Sequence, residues 1–319
     1  MIRPAMRLQS PTRVTTGFFD ATPLLADPAA LRLRAAEDGF LFFRQFLPAK
    51  PLWELRRQIL DVVNRHGWIL AGTEVMDAMA DRDAVAASDE RDRSLRAIGV
   101  TKDAYREIQR LELFHAIPHQ PRLLQMYELL FQAKVLPHPR HIARVLLPAP
   151  SFTPTAPHQD YVYIHGTHRF WTCWFPLGDV PLALGGLSVL RGSHQEPVLD
   201  VMRSTGAGGL EAILCGKDYE WVQDDYRCGD MITFTSHTVH KGLPNQMVDR
   251  IRLSCDIRYQ PADEDVEEHS LQPHLNVATW DELYTGWTNP QIQYYWKQKP
   301  LKVTVATGPT VDIKERRPC

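Results

Sequence analysis

Cysteine is scarce in this 319-residue chain, and the five present, Cys173, Cys215, Cys228, Cys255 and Cys319, are odd in number and scattered. No C-x-x-C pair occurs, so neither a zinc knuckle nor a disulfide framework is indicated. Reduced thiols in the cytoplasm are the simpler reading. No apolar run approaches the roughly 20 residues that cross a bilayer. The net charge of −2 gives no electrostatic reason to expect nucleic acid or an anionic membrane as partner. Phosphate-binding glycine spacings are missing too, the glycine-rich stretch 204–216 included. The first 19 residues hold three arginines and no acid but lack the apolar core of a secretory signal. An organelle-transit segment is therefore the weaker alternative to a cytoplasmic location. Oligomeric state is not readable.

What remains is the composition of an ordinary globular protein, 44% hydrophobic and 23% charged. The front of the chain patterns as helix. "DPAALRLRAAEDGF" opens with Asp27 as N-cap and Pro28 in the first turn, and closes at Gly39. "FLFFRQFL" (40–47) reads as a short buried strand, and Leu52, Leu55, Ile59 and Val62 or Val63 recur at helical spacing. Residues 73–94 are acidic, alanine-rich and weakly periodic, which predicts a mobile flap. Helical patterns resume at 102–116 and 121–133. From about 141 the character changes to short β-rich runs: "HIARVLLP", "FWTCWFPL", "LSVLRG", "DMITFTS" and "RIRLSCDIRYQ". Regularly spaced short strands predict a sandwich or barrel. Nothing resembling a linker separates the two halves. One domain over 1–319 is expected: a helical part at about 20–135, a β core at about 136–262 and a C-terminal extension at 263–319.

"PHQDYVYIHG" places His158 and Asp160 one residue apart. On a strand they would share a face, and an imidazole with a carboxylate makes a mixed site that suits Fe(II), Mn or Zn. By itself such a pair arises easily by chance. A third ligand is offered by "GDMITFTSHTVHKGLPN", in which His237 and His240 stand three apart and cannot both face inward on a regular strand. Downstream, Arg250, Arg252 and Ser254 share a face. Two histidines and a carboxylate leave three positions open on an iron, the arrangement of non-haem oxygenases. An arginine adds a bidentate partner for a carboxylate. Tyr161, Tyr163, His165, Trp171 and Trp174 gather aromatic surface beside the motif.

The order HQD (158–160), "GGLSVLRGSH" (185–194), "GDMITFTSHTVHKGLPN" (229–245) and "RIRLSCDIRY" (250–259) resembles the phytanoyl-CoA dioxygenase-like family of Fe(II)/2-oxoglutarate oxygenases, and "EDGFLFFRQFLPAKPLWELRRQI" (37–59) looks like its opening strand and helix. The resemblance implies a mainly β fold with flanking helices around a double-stranded β-helix (jelly-roll, cupin-like) core. It implies His158, Asp160 and His240, not His237, as iron ligands. Arg250 would hold the distal carboxylate of 2-oxoglutarate, and Trp171 would line the co-substrate pocket. Tyr161, Tyr163 and Arg252 remain candidates for substrate contact; His194 reads as a turn residue. Gly185-Gly186 stands where the family often has Asn-Gly, a change confined to a turn.

The expected cofactors are Fe(II), 2-oxoglutarate and O₂, with a C–H bond of a small molecule hydroxylated or otherwise oxidised and succinate and CO₂ released. Asp160 argues for this outcome, since halogenating relatives carry a small residue at that position. Three alternatives stand beside it: a catalytically silent metal-binding β-helix protein, a zinc hydrolase using the same ligands, and an acyl-CoA hydroxylase if the substrate is a thioester. No basic cluster suits a CoA diphosphate, and the substrate's identity is not written in the sequence.

Overall fold

The computed structural model describes residues 13–91, 99–149, 152–214, 219–305 and 311–315. Its strands run β1 (Arg13–Thr16), β2 (Phe40–Phe43), β3 (Val135–Pro137), β4 (Ile142–Leu146), β5 (Trp171–Pro176), β6 (Leu187–Leu190), β7 (Val201–Arg203), β8 (Leu210–Ala212), β9 (Glu220–Gln223), β10 (Met231–Thr235), β11 (His240–Gly242) and β12 (Arg252–Pro261). One sheet is ordered β2-β10-β5-β12, with β12 continuing onto β4 and β3. The other is ordered β1-β9-β6-β11. The two face each other across Phe40, Phe42, Trp174 and Ile232 from the first and Leu187, Val189 and Val222 from the second. This is the jelly-roll core expected above, with strands from the N-terminal part built into both sheets.

Alternation along the strands decides what each face does. In β12 the side chains of Leu253, Cys255, Ile257 and Tyr259 join an apolar core with Trp171, Cys173 and Phe175 of β5. Helices cover that face. α1 (Pro28–Asp38) starts where Asp27 Oδ1 accepts from the backbone N–H groups of Ala29 and Ala30, both at 3.1 Å. It stops at Gly39, whose φ of +79° favours glycine. A Cβ on Gly39 would also lie 2.3 Å from His194 Nδ1. α2 (Ala49–Arg65) sends Leu52, Leu55, Ile59, Leu60, Val62 and Val63 into the core. Each such side chain contributes about 1.5–3 kcal/mol on burial. The helical pattern at 102–116 resolves into two helices, Lys102–Gln109 and Glu112–Ala116.

Segment 73–94 is not a loose flap. Val85 is fully buried, Ala78 and Ala80 nearly so, and Trp68 Nε1 donates to Ser88 Oγ at 2.9 Å. Ala80 N–H bonds to Asp249 C=O at 2.8 Å and Ile251 N–H to Ala78 C=O at 3.0 Å. Small alanines pack closely where larger apolar residues would have signalled a core, which is why the sequence looked unanchored. Residues 92–94 lie outside the described residues.

The extension beyond β12 docks through aromatic rings on a seam of buried histidines. His115 lies 5.0 Å from the ring of Trp287 and His119 4.4 Å from that of Tyr295. Burial pushes His115 down to about 3 and His119 to about 4, and holds the fully buried His141 well below the usual imidazole range. The free imidazole titrates near pH 6.5, so below that pH the unfolded chain binds protons that the folded chain does not. Stability carried by these groups is intact above about pH 6.5 and falls by up to about 1.4 kcal/mol per histidine per pH unit beneath it. Urea midpoints should drop steeply between pH 7 and pH 5, and His141→Phe should flatten that slope. Equal midpoints at the two pH values would contradict this.

Candidate metal centre

His158 is delivered by backbone pairing with β11. His158 N–H bonds to His240 C=O and His240 N–H to His158 C=O, both at 3.0 Å, so the two residues stand directly opposite each other. Their rings lie 4.2 Å apart between centroids. Asp160 does not follow on a strand, as the alternation argument had it. It begins a single 3₁₀ turn, Asp160–Val162, and that turn swings its carboxylate back toward the histidines. Gln159 between them is fully buried and faces the other way. Its Nε2 donates to His237 C=O at 2.9 Å, and its Oε1 accepts from Leu199 N–H at 2.8 Å. This amide pins the ligand segment to two neighbouring loops.

Two histidines and one carboxylate fit a divalent metal. One ligand atom from each of His158, Asp160 and His240 lies within 4.8 Å of the others, and all three residues are buried. His158 Nδ1 donates to Ala156 C=O at 2.8 Å and His240 Nδ1 to Thr238 C=O at 3.0 Å. With Nδ1 protonated, each ring turns an Nε2 lone pair to the centre. Both Nε2 atoms approach Asp160 Oδ1, at 3.6 and 3.7 Å. Burial drives His240 down to about 3 and keeps it neutral. Burial alone would raise the Asp160 carboxyl, but the Arg258 charge holds it well below the usual carboxylate range.

The triad borders a cavity between the sheets. Leu146, Phe152, Leu187 and Leu243 supply its apolar wall, and Arg144, Arg252, Asp256 and Arg258 its charged wall. Arg144 is paired with Asp256 at 2.8 Å and Arg258 with Asp160 at 3.1 Å. Arg252 has no carboxylate partner among the described residues. Its Nη1 donates to Ser254 Oγ at 2.7 Å, its Nε is buried with no acceptor, and its guanidinium lies 5.9 Å from the Trp174 ring. Desolvation lowers it to about 10, which still leaves it cationic at neutral pH. A buried cation with spare donors fits a carboxylate ligand.

Two sequence expectations need correcting. Arg250 is not in the cavity: its Nη1 donates to Asp77 C=O at 2.8 Å, and its backbone bridges Met79. The Asn245 side chain, accepting from Met247 N–H and donating to Arg250 C=O, extends the turn, so the strand and its alternation start only at Arg252. Trp171 faces the helices with Cys173 and Phe175, and it is Trp174, on the opposite parity, that borders the cavity. Tyr161 stacks on His168 at 4.0 Å and His237 at 5.2 Å, away from the triad. Tyr163 sits edge-on to the His158 ring at 5.5 Å. His194 bonds through Nε2 to Ala36 C=O, remote from the centre. Missed altogether were Thr172, Arg144, Asp256 and Arg258. The last two were marked by the polar residues at every second place of "RLSCDIRYQ".

A jelly roll whose interior holds a buried two-histidine, one-carboxylate centre beside an unpaired arginine defines a class of metal-dependent oxygenases. The phytanoyl-CoA dioxygenase (PhyH) family profile matches residues 35–252, and the chain belongs to that family. It is a non-haem Fe(II)/2-oxoglutarate-dependent oxygenase. Similar curated proteins include the 1-deoxypentalenic acid 11-beta-hydroxylases of Streptomyces arenae, 27% identical over 82% of this chain and 91% of the relative, and of Streptomyces exfoliatus, 25% identical over the same shares. Among solved structures, the epimerase SnoN in complex with Fe3+, alpha ketoglutarate and nogalamycin RO matches with a TM-score of 0.50 and 21% identity, over 76% of this chain and 86% of that one. The carbocyclase SnoK from nogalamycin biosynthesis matches with a TM-score of 0.50 and 19% identity, over 74% and 84%. These two support the fold.

Alanine at His240 should abolish Fe(II) or Mn(II) binding in an anaerobic titration, whereas His237→Ala should keep it. Loss of binding in the His237 variant alone would show that the ring stacked on Tyr161 turns inward in solution.

Proposed function

We propose that the enzyme hydroxylates an unactivated C–H bond of a small, largely apolar carboxylic acid of the terpenoid kind, with 2-oxoglutarate as co-substrate. The observation that carries the reading is the convergence of His158, Asp160, His240 and Arg252 on one buried cavity. His158, Asp160 and His240 would hold the iron, and Arg252 the C5 carboxylate of 2-oxoglutarate. When bound, the iron with 2-oxoglutarate and O₂ supplies the oxidising power, with succinate and CO₂ as co-products. The chain itself binds, orients and keeps water out.

The parts have distinct tasks. Leu146, Phe152, Leu187 and Leu243 would seat the hydrocarbon body of the substrate. Arg144, the most open of the three cavity arginines with 24% of its side chain exposed, offers an anion contact beyond the iron. A carboxylic-acid substrate also agrees with the relatives' action on 1-deoxypentalenic acid. The hairpin β7–β8 covers the centre: Ala207 borders the cavity, and Ala212 N–H bonds to Pro157 C=O at 2.7 Å, next to His158. Among the described residues no helix is long and apolar enough to cross a membrane. Free thiols at Cys173, Cys228 and Cys255 agree with a cytoplasmic location.

A planar guanidinium makes two parallel charge-assisted hydrogen bonds to a carboxylate, and leaving such a buried group unpaired costs about 2–5 kcal/mol. At 1.4 kcal/mol per tenfold, Arg252→Ala should weaken 2-oxoglutarate binding by at least about 30-fold. Arg250→Ala should leave it close to wild type. Titrating 2-oxoglutarate into both anaerobic Fe(II) variants checks this, and the reverse ranking would overturn the assignment. Substrate class is tested by succinate release across terpenoid acids, their methyl esters and acyl-CoA thioesters, with the free acids expected to be preferred. Preference for a thioester would replace the carboxylic-acid reading.

A further inference from the structure

The outer oxygen of Asp160 has its own pair of donors. Thr172 Oγ1 and Arg258 Nη2, the latter at 3.1 Å, both bond to Oδ2, while Oδ1 faces the two histidine Nε2 atoms. The register of the sheet fixes this arrangement, because Thr172 of β5 and Arg258 of β12 are direct partners across the ladder. The Arg258 side chain is 6% exposed and that of Asp160 3%. Of the three Arg258 nitrogens, Nε and Nη1 are buried without an acceptor, so its one bond is to the carboxylate. Arg144, by contrast, pairs through its Nε with Asp256. Among the described residues the Arg258 guanidinium has no ion pair other than that with Asp160.

A carboxylate with one oxygen saturated by two donors has only the other to give. A one-oxygen Asp160 with two histidines takes three of six positions, and three remain for a bidentate keto acid and O₂. A chelating Asp160 would take four and leave one too few. The guanidinium also withdraws electron density from the carboxylate, which weakens it as a donor and favours the lower oxidation state. We propose that Arg258, with Thr172, is a positioning residue that holds Asp160 to one-oxygen ligation and stabilises the ferrous state. This rests on the reading that His158, Asp160 and His240 hold iron.

The test compares Arg258→Met, Arg258→Lys and Thr172→Val with the wild type, each as full chain loaded anaerobically with Fe(II). Two readouts are taken: the position of the visible charge-transfer band that forms with 2-oxoglutarate, and the rate at which bound Fe(II) oxidises in air without it. Arg258→Met should shift the band to longer wavelength and oxidise several-fold faster. Arg258→Lys, which keeps the charge, should restore the oxidation rate most of the way, a rescue that a packing role would not give. Thr172→Val should shift the band in the same direction by less. Wild-type band and rate in Arg258→Met would overturn the proposal. If Arg258→Met lacks a cooperative thermal transition, Thr172→Val decides, and an unshifted band there overturns it. Absence of the band from the wild type would instead defeat the iron and 2-oxoglutarate reading itself.

Discussion

The reciprocal backbone hydrogen bonds between His158 and His240 set the geometry on which the centre depends. They make the two histidines a directly opposed pair, so their ring separation follows from sheet geometry and needs no flexible loop to find it. One partner sits on β11, which is paired to β6 through His240 and Val189. The other, His158, lies outside the named strands and is fixed by this bridge. Asp160 then needs only a single 3₁₀ turn to close the triangle. Backbone pairing places the histidines, and the buried side chain of Gln159 holds the step from His158 to Asp160.

Charge inside a protein is tolerated only when it is paired. The cavity between the sheets holds three arginines and two aspartates that obey this rule with one exception. Arg258 and Asp160 compensate each other, as do Arg144 and Asp256. Arg252 is left over, buried, with an unpartnered Nε and, among the described residues, no carboxylate beside it. A ligand carboxylate would offset the desolvation cost of such a cation, as the proposed co-substrate contact requires. On the proposed reading the three arginines would divide the work: Arg258 on the metal-binding carboxylate, Arg252 on the co-substrate, and Arg144, the most exposed, beside them.

Much of the fold was legible because two periodicities were clear. Asp27, Pro28 and Gly39 marked a helix and its ends, the apolar spacing of 52–63 marked another, and short β-rich runs marked the strands of the jelly roll. The family likeness was carried by peptides whose order survives where overall identity is low. What was not legible came from turns. Arg250 and Arg252 have the same parity, so nothing local shows that the turn held by Asn245 delays the strand by two residues. Trp171 and Trp174 differ in parity, and only the register against β12 shows which face is which. Arg258 was visible as one of the polar residues alternating along "RLSCDIRYQ", but its contact with Asp160 spans 98 positions and no local pattern encodes it. The alanine-rich 73–94 looked unanchored because close packing of small side chains leaves little hydrophobic signature.

On the proposed reading, one cavity between two sheets assembles the whole co-substrate site from His158, Asp160, His240 and Arg252. An anaerobic crystal structure with Mn(II) in place of iron and 2-oxoglutarate tests it most directly. The metal is expected on His158 Nε2, Asp160 Oδ1 and His240 Nε2, with the distal carboxylate of 2-oxoglutarate on the Arg252 guanidinium. A metal held by His237, or a distal carboxylate held by Arg250, would contradict it.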